Sequence, residues 1–370
     1  MFKHLKQKEA SVSEVSIIGL DLAKSVFQVH GATKEGKMVF NRRLRRDEVI
    51  SFFLKQPSCL VVMEACGGAH FWSREISKLG HEVRLIAPSH VKPFVKRNKS
   101  DRVDAEAVTE AAVRPNMRFV PTKSEEAQAQ ATQLRVREQL SKQRTQSINA
   151  LRGLMSEFGL VVALGRQHVD KLIAKLGDEG SAVPEAAQPG LLFLAANIAT
   201  LTEQIDNLDR QTRTQAKQDE TSRRLMTIPG VGPMSAVALM ALMPEPDFFK
   251  CGRDFGAWLG FTPVEHSSGG KQRLGGISKK GQPTLRRLLL LGAAAVVRQA
   301  MRRPLNPKTW LGRMLAKKPT MLVITALANK TARIIWAIRA KGGVYRDPQT
   351  SNDQVKGAAD LDQQTSAKAA

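Results

Sequence analysis

Four carboxylates are spaced in a way that suits joint work on a metal ion. Asp21 closes the apolar run VSIIGLDL (15–22), and Glu64 ends a second run, CLVVME (59–64). Asp101 and Asp104 stand three residues apart in SDRVDAEAVTEAA (100–112). With the two runs as strands and the third segment as a helix, the i, i+3 pair shares one helix face, and strand ends and helix face converge. Carboxylates held together repel one another unless a cation neutralises them. Hard divalent cations with oxygen ligands suit such a site, Mg²⁺ above all, with Mn²⁺ as a substitute. A pair of Mg²⁺ ions a few ångströms apart activates a nucleophile and stabilises the leaving oxygen in phosphodiester cleavage. Singly, each acid has a plainer reading: a strand-end Asp is also a turn residue, and an Asp pair opening a helix also suits its dipole. The four together, in this order, favour the metal.

A second constellation lies far downstream, in HSSGGKQRLGGISKKGQPTLRRLL (266–289). Ser267 and Ser268 precede Gly269-Gly270, whose backbone freedom could expose a hydroxyl. Lys271, Arg273, Lys279, Lys280, Arg286 and Arg287 follow and could bind phosphates. A serine hydroxyl is a poor nucleophile toward phosphorus without local positive charge and metal help. The plain alternative is a flexible basic loop. His266 is either a base for the serine or an ordinary loop residue. Upstream, IPGVGPMSA (228–236) resembles a helix-hairpin-helix element, in which Gly230 and Gly232 let backbone N–H groups approach a phosphate at a helix N-terminus. A tight turn between packed helices would read the same way.

The elements that must hold these residues can be sketched from pattern. Runs at 15–22, 26–31 and 37–41 suggest a three-strand meander. Helical spacing follows at 46–55, a strand at 59–64, a helix at 71–79, a strand at 82–86 and a helix at 100–112 with Ser100 as N-cap. The order βββαβαβα is that of a ribonuclease H-like domain, here placed at 1–120. Segments 125–158 and 191–217 are nearly free of Pro and Gly and read as two long helices broken by Pro189-Gly190. They would form a hairpin or coiled-coil arm (121–222), serving either assembly or a plain intramolecular bundle. A basic, mostly helical domain (223–346) and a polar, disordered tail (347–370) complete the chain. The fold class is therefore α/β plus all-α.

Charge narrows the partners. The chain has 370 residues and a net charge of +23. Residues 1–120 carry 21 basic and 13 acidic residues, 121–220 carry 12 and 13, and 221–348 carry 22 and 5. From Ser267 to Arg346 there are 18 Lys and Arg and no acid. That asymmetry points to a polyanion, with nucleic acid first. Nineteen aromatic residues argue against a base-stacking platform as the main device. No apolar run reaches transmembrane length, and the N-terminus lacks a secretory core, so a cytoplasmic location is expected. Cys59, Cys66 and Cys251 form neither a disulfide framework nor a zinc site by spacing.

These residues together resemble the DEDD-type insertion-sequence transposases of the insertion-sequence one-ten family, most closely its eleven-eleven subgroup. The stretches that carry the resemblance are GLDLAKSVFQVHG (19–31), VVMEACGGAHFWSREI (61–76), IAPSHVKPFVKRNKSDRVDAEAV (86–108), RVREQLSKQRTQSINALRGLMSEFG (135–159), IPGVGPMSAVAL (228–239), FGAWLGFTPVEHSSGGKQRLGGISKKGQPTLRRLLL (255–290) and LANKTARIIWA (327–337). The resemblance implies a RuvC-like N-terminal fold with Asp21, Glu64, Asp101 and Asp104 as its metal-binding set. It implies a C-terminal nucleophilic serine that forms a transient phosphoserine link to DNA. That role falls on the Ser267–Ser268 pair, with Ser268 chosen. It further implies donor and target DNA as partners, a structured guide (bridge) RNA, and a dimer or tetramer that joins the acids of one subunit to the serine of another. Two other readings stay open from the residues: a metal-dependent junction resolvase or nuclease that uses water, and a non-enzymatic nucleic-acid scaffold. No helix-turn-helix, zinc finger or basic zipper is apparent, as expected where base pairing reads the sequence.

Overall fold

A computed structural model describes residues 15–95, 101–176, 182–304 and 306–346. The chain divides into two compact units, Met1–Ser124 and Glu125–Ala370. Ser100, the expected N-cap, and the tail 347–370 lie outside the described residues.

The first unit is a six-stranded mixed sheet with helices on both faces. Its elements run β1 (Ile17–Asp21), β2 (Val26–Ala32), β3 (Met38–Arg45), α1 (Val49–Leu54), β4 (Leu60–Glu64), α2 (Ala69–Lys78), β5 (Glu82–Ile86), α3 (Pro88–Val91), α4 (Asp101–Ala112) and β6 (Phe119–Val120). The spatial order is β3-β2-β1-β4-β5-β6. Strands β1, β4 and β5 are parallel, while β2, β3 and β6 each run antiparallel to the neighbour they follow. The βββαβαβα order expected from pattern is present. The sequence reading stopped β3 short at 41 and did not foresee β6, because NRRLR and the two-residue FV carry little apolar alternation.

Period-two alternation sorts the central strands onto two faces. Ile18, Leu20, Phe27, Val29, Val61, Met63 and Leu85 enter one layer with Phe53, Trp72 and Ile76. Ile17, Val62 and Ile86 enter the other with Ala107, Val108 and Ala111 of α4. That second layer is thin because α4 meets the sheet with small residues. At Gly19 a Cβ would overlap both Thr109 Oγ1 and the Ala105 carbonyl, so helix and strand approach closely only because this residue is glycine.

The second unit is almost wholly helical. It comprises α5 (Glu125–Ser156), α6 (Val169–Ala174), α7 (Gln188–Gln218), α8 (Glu220–Met226), α9 (Pro233–Leu242), α10 (Gly252–Trp258), β7 (Pro263–Glu265), β8 (Leu274–Ile277), α11 (Pro283–Met301), α12 (Trp310–Lys317) and α13 (Thr320–Lys341). Helices α5 and α7 form an antiparallel hairpin. Ser147 meets Asn197 at 3.2 Å, and Arg137 donates to both oxygens of Asp209. Pro189 does not interrupt a helix; it sits in the first turn of α7, where its missing N–H costs nothing. Leu151, Met155, Leu172, Leu191 and Ile198 close the end of the hairpin around α6.

Helix α9 is buried along nearly its whole length and packs against α5, α7, α8 and α11 in the largest core, which α10 and α13 also enter. Helix α13 has the length and apolarity of a membrane span. Here Val323, Ile324, Ala328, Ala332, Ile335 and Ile338 spend that apolarity inside the core.

Candidate active site

Register brings the first two acids together. Leu20 and Met63 are partners in the parallel pair β1–β4, so the next residue of β1, Asp21, and of β4, Glu64, stand at the same end of adjacent strands. Helix α4 crosses that face at Gly19 through Ala105 and Thr109. Its first turn, with Asp101 and Asp104, is therefore delivered toward the strand ends. Asp21, Glu64 and Asp104 are half-buried and Asp101 is exposed.

Electrostatics shows that Asp21 feels the other three acids. The Asp21 carboxyl is pushed up to about 6, first by burial, then by the charges of Asp104, Asp101 and Glu64, against a smaller opposing hydrogen bond from the Leu22 backbone. Among the described residues no three His, Cys, Asp or Glu side chains are drawn into a cage around an ion position. The acids share a field rather than a closed shell. Their all-oxygen donor set, and a carboxyl that resists ionising beside its neighbours, fit a hard divalent cation.

Three polar residues that pattern reading missed support this face. Gln28 pairs with Asp21 and His30 with Gly19 across the β1–β2 ladder, so both share its face. They are 5% and 4% exposed, unusual burial for such side chains. Gln28 Nε2 donates to Asn41 Oδ1, while Asn41 Nδ2 lies 3.1 Å from His30 Nδ1 and 3.5 Å from the Arg102 carbonyl. Asn41 thus joins strands β2 and β3 to the turn of α4 between the two aspartates. The signal was present in FQVHG (27–31), where polar residues alternate onto the side of Asp21. Cys66 also borders the site; burial and the charges of Glu64 and Asp21 push its thiol up.

The serines occupy a β-hairpin, not the flexible basic loop that is the plain alternative for this stretch. Strands β7 and β8 pair antiparallel, with Glu265 opposite Leu274. Ser268 and Lys271 form the last bridge, closed by the Lys271 N–H on the Ser268 carbonyl at 3.0 Å. Gly269 (φ 56°) and Gly270 (φ 74°) are both left-handed, as a type I′ tip requires. These strands are short and exposed, so hydrophobic alternation could not reveal them; the Gly-Gly pair was the usable signal.

The two hydroxyls differ. Ser267 Oγ donates to Glu265 Oε1 at 2.6 Å and accepts the Arg273 N–H at 3.1 Å. Ser268 stands exposed at the tip, and its hydroxyl makes no hydrogen bond among the described residues.

The basic residues divide by task. Lys271 and Arg273 are exposed on the hairpin, and Lys279 and Lys280 on the turn after it. That turn is clamped: the Lys279 N–H reaches the Gly260 carbonyl at 3.2 Å, and a Cβ at Gly281 would overlap the Trp258 carbonyl. Arg286 Nη1 lies 2.8 Å from both the Leu259 and Lys280 carbonyls, securing the clamp from α11. Arg287 pairs with Glu138 of α5 at 3.4 Å. Gly230 (φ 85°) presses against the backbone of Gly292 in α11, whereas Gly232, before α9, has open space around its Cβ direction.

A mixed α/β unit carrying clustered carboxylates, followed by a basic helical unit, is consistent with the nuclease-like architecture of DEDD-type transposases. Residues 18–159 match the DEDD-type transposase domain named for IS110, and residues 222–306 match the family described as "Transposase IS116/IS110/IS902 family". A Pseudomonas aeruginosa protein named "Probable family 20 transposase" is 46% identical over 334 residues, 90% of this chain and 99% of its own. The transposase for insertion sequence element IS1328 of Yersinia enterocolitica is 38% identical over 90% of this chain and 98% of its own. The transposase for insertion sequence element IS1111A of Coxiella burnetii is 37% identical, over 92% and 94%. The chain belongs to the IS110/IS116/IS902 family of insertion-sequence transposases. Membership implies an enzyme that cleaves and recombines DNA, and the DEDD-type domain implies dependence on a divalent metal.

Proposed function

We propose that this transposase is an RNA-guided DNA recombinase in which Asp21, Glu64, Asp101 and Asp104 bind Mg²⁺ and Ser268 attacks the scissile phosphate. The observation that carries the reading is the β1–β4 register that sets Asp21 and Glu64 at one sheet end, with α4 seated on Gly19 so that its first turn brings Asp101 and Asp104 toward them. Bound Mg²⁺ would supply Lewis-acid stabilisation of charge on the phosphate and leaving oxygen. The residues do the rest. Asp21 and Glu64 offer oxygens from the sheet, and Asp101 and Asp104 close over them from α4. The Ser268 Oγ–P bond forms as the P–O bond to the strand's 3′ or 5′ oxygen breaks, and the serine proton passes through solvent to the leaving oxygen. Lys271 and Arg273 neutralise the phosphate beside it, and Lys279 and Lys280 hold the flanking strand. Gly232, at the open start of α9, offers backbone polarity to another phosphate. A ribonuclease H-like, RuvC-type fold for the first unit fits the strand order and the acid positions.

A second assignment has its own observation. Ser267 already donates to Glu265, which could take its proton, so Ser267 is the other candidate nucleophile. Guidance by a bridge RNA rests on the family resemblance and on a basic surface without a base-reading motif. A homo-oligomer that joins acids and serine from different subunits rests on the resemblance alone.

The test uses purified protein, labelled element-end DNA and Mg²⁺, with denaturing gels read for cleavage and for a protein–DNA adduct. Adduct formation abolished by Ser268→Ala, retained by Ser267→Ala and dependent on added RNA is the expected result. Cleavage that survives both substitutions would make water the nucleophile. Full activity after complete removal of RNA would overturn the guide.

A further inference from the structure

We propose that a cleft at the acids' end of the sheet, on the face that α2 covers, binds one unpaired nucleotide of the DNA strand being cut, its base against Phe71 and its phosphate on Lys24. This deepens the DNA-recombinase reading and rests on it. The cleft, about 610 Å³, has Lys24, Arg45, Arg46, Asp47, Phe71 and Trp72 in its lining, where Asp47 contributes a carboxylate. It is a shallow groove, open to solvent along most of its length, so it suits one group of a longer strand rather than an enclosed small molecule.

Its position follows from topology. Lys24 and Ser25 belong to the turn that leaves Asp21 at the end of β1. Arg45 pairs with Val26 across the antiparallel β2–β3 ladder, so the end of β3 returns to the same edge of the sheet. Phe71 and Trp72 stand on α2, which starts just after Glu64. The cleft and the acids therefore share one end of the sheet, the cleft on the face of α2 and the acids on the face of α4, so that a strand passing over this end can meet both.

Its chemistry has two halves. Trp72 is buried, and Phe71, edge-on to it with centroids 5.2 Å apart, is 42% exposed. The Arg46 guanidinium lies 5.1 Å from the Trp72 ring centre and 5.8 Å from that of Phe27, and Arg46 Nη1 reaches the Lys24 carbonyl at 3.4 Å. Arg46 is thus a fixed wall that combines a cation with a flat face. Arg45 is offset by Asp47 and Glu48, at 3.5 and 3.4 Å. Lys24 is exposed and has no ion pair among the described residues.

An exposed ring beside an uncommitted ammonium matches the two faces of a nucleotide, a stacking base and an anionic phosphate. A phosphate in this cleft meets Lys24 directly, whereas one at the carboxylates needs a cation between. Few aromatics argue against a stacking platform for long strands, and one ring suffices for one base. Lys24 lies three residues from Asp21, close enough for one strand to meet both, so the occupant is taken as the DNA strand that reaches the acids, with RNA as the alternative that the test separates.

The experiment measures anisotropy of a fluorescent twelve-residue oligothymidylate on RNA-free, full-length protein carrying Asp21→Asn, which separates binding from catalysis. Phe71→Ala and Lys24→Ala should each weaken single-strand binding about tenfold, in line with the loss of one stacked base. Phe71→Tyr should restore it, and binding of a twelve-base-pair duplex should change less than twofold. Unchanged single-strand affinity, equal losses on single strand and duplex, or an effect confined to oligouridylate RNA would each overturn the proposal. The adduct assay on the wild-type background tells the two failures apart. Adduct formation together with unchanged affinity in Phe71→Ala removes the cleft and leaves the recombinase. Absence of any adduct removes the serine chemistry and leaves the anisotropy result standing on its own.

Discussion

The carboxylates and the serine are held by opposite means. The acids hang on the core of the first unit: a five-residue strand buried on both faces carries Asp21, and a helix seated on Gly19 carries Asp101 and Asp104. Ser268 hangs on local turn chemistry, at the tip of a two-stranded hairpin fixed by two left-handed glycines. Repelling charges need a rigid frame to stay together, and the sheet provides one. A nucleophile that must reach a bulky phosphodiester is better displayed than buried. Damage to the frame should therefore disturb the acids as a group, while damage to the hairpin should be confined to one step.

The largest effect expected from this contrast is on Asp21→Asn and Glu64→Gln. Each should reduce DNA cleavage at least about a thousandfold, the scale of several kcal/mol of metal-borne charge stabilisation. Nucleic-acid affinity, read by gel shift, should stay within about threefold. Parallel loss of binding and cleavage would mean that the acids serve folding.

Next comes the network that ties α4 down. Asn41→Ala should raise the Mn²⁺ concentration for half-maximal cleavage about tenfold, as expected for an outer-shell partner. The rate at saturating Mn²⁺ should fall much less. Gly19→Val should go further and destabilise the first unit by about 1–3 kcal/mol through overpacking, measured by urea unfolding. A Gly19→Val protein with wild-type stability would show that α4 is not seated as described.

A smaller effect concerns pH. The Asp21 carboxyl is raised from 3.8 to about 6 in the folded protein, so the folded state holds the extra proton. The associated stability is complete below pH 3.8 and is lost as pH rises through about 6. Without metal, Asp21→Asn should therefore melt above wild type at pH 7, by about 2–4 °C once solvent screening is allowed for. The gap should close toward pH 4 and shrink on adding Mg²⁺. A gap independent of pH would separate Asp21 from the other acids. Smallest of all, Gly269→Ala should cost about 1–2 kcal/mol of left-handed strain in the hairpin, visible as loss of adduct formation with Mg²⁺ affinity unchanged.

The same contrast explains what could be read from the chain. Strands β1 and β4 announce themselves because burial on both faces writes a continuous apolar run into the sequence, and α4 does so through its helical period. Asp21 and Glu64 were legible as the acids that end such runs. The hairpin was not, because exposed strands need no apolar pattern, and only Gly269-Gly270 marked it. Gln28, His30 and Asn41 went unseen for another reason. A buried polar network is defined by partners in three dimensions, and each member looks like an ordinary strand residue on its own. Arg286 shows the converse: its sequence context suggests phosphate contact, and its geometry holds backbone carbonyls.

The central claim, that the acid cluster and the hairpin serve one phosphodiester reaction, is tested most directly by peptide mapping. Wild-type protein and Asp21→Asn would be incubated with element-end DNA and Mg²⁺, digested, and the DNA-linked peptide identified by mass spectrometry. The account predicts a phosphodiester on Ser268 in the wild type and no linked peptide in Asp21→Asn. A linkage outside the 267–268 pair, or one that forms equally well without Asp21, would contradict it.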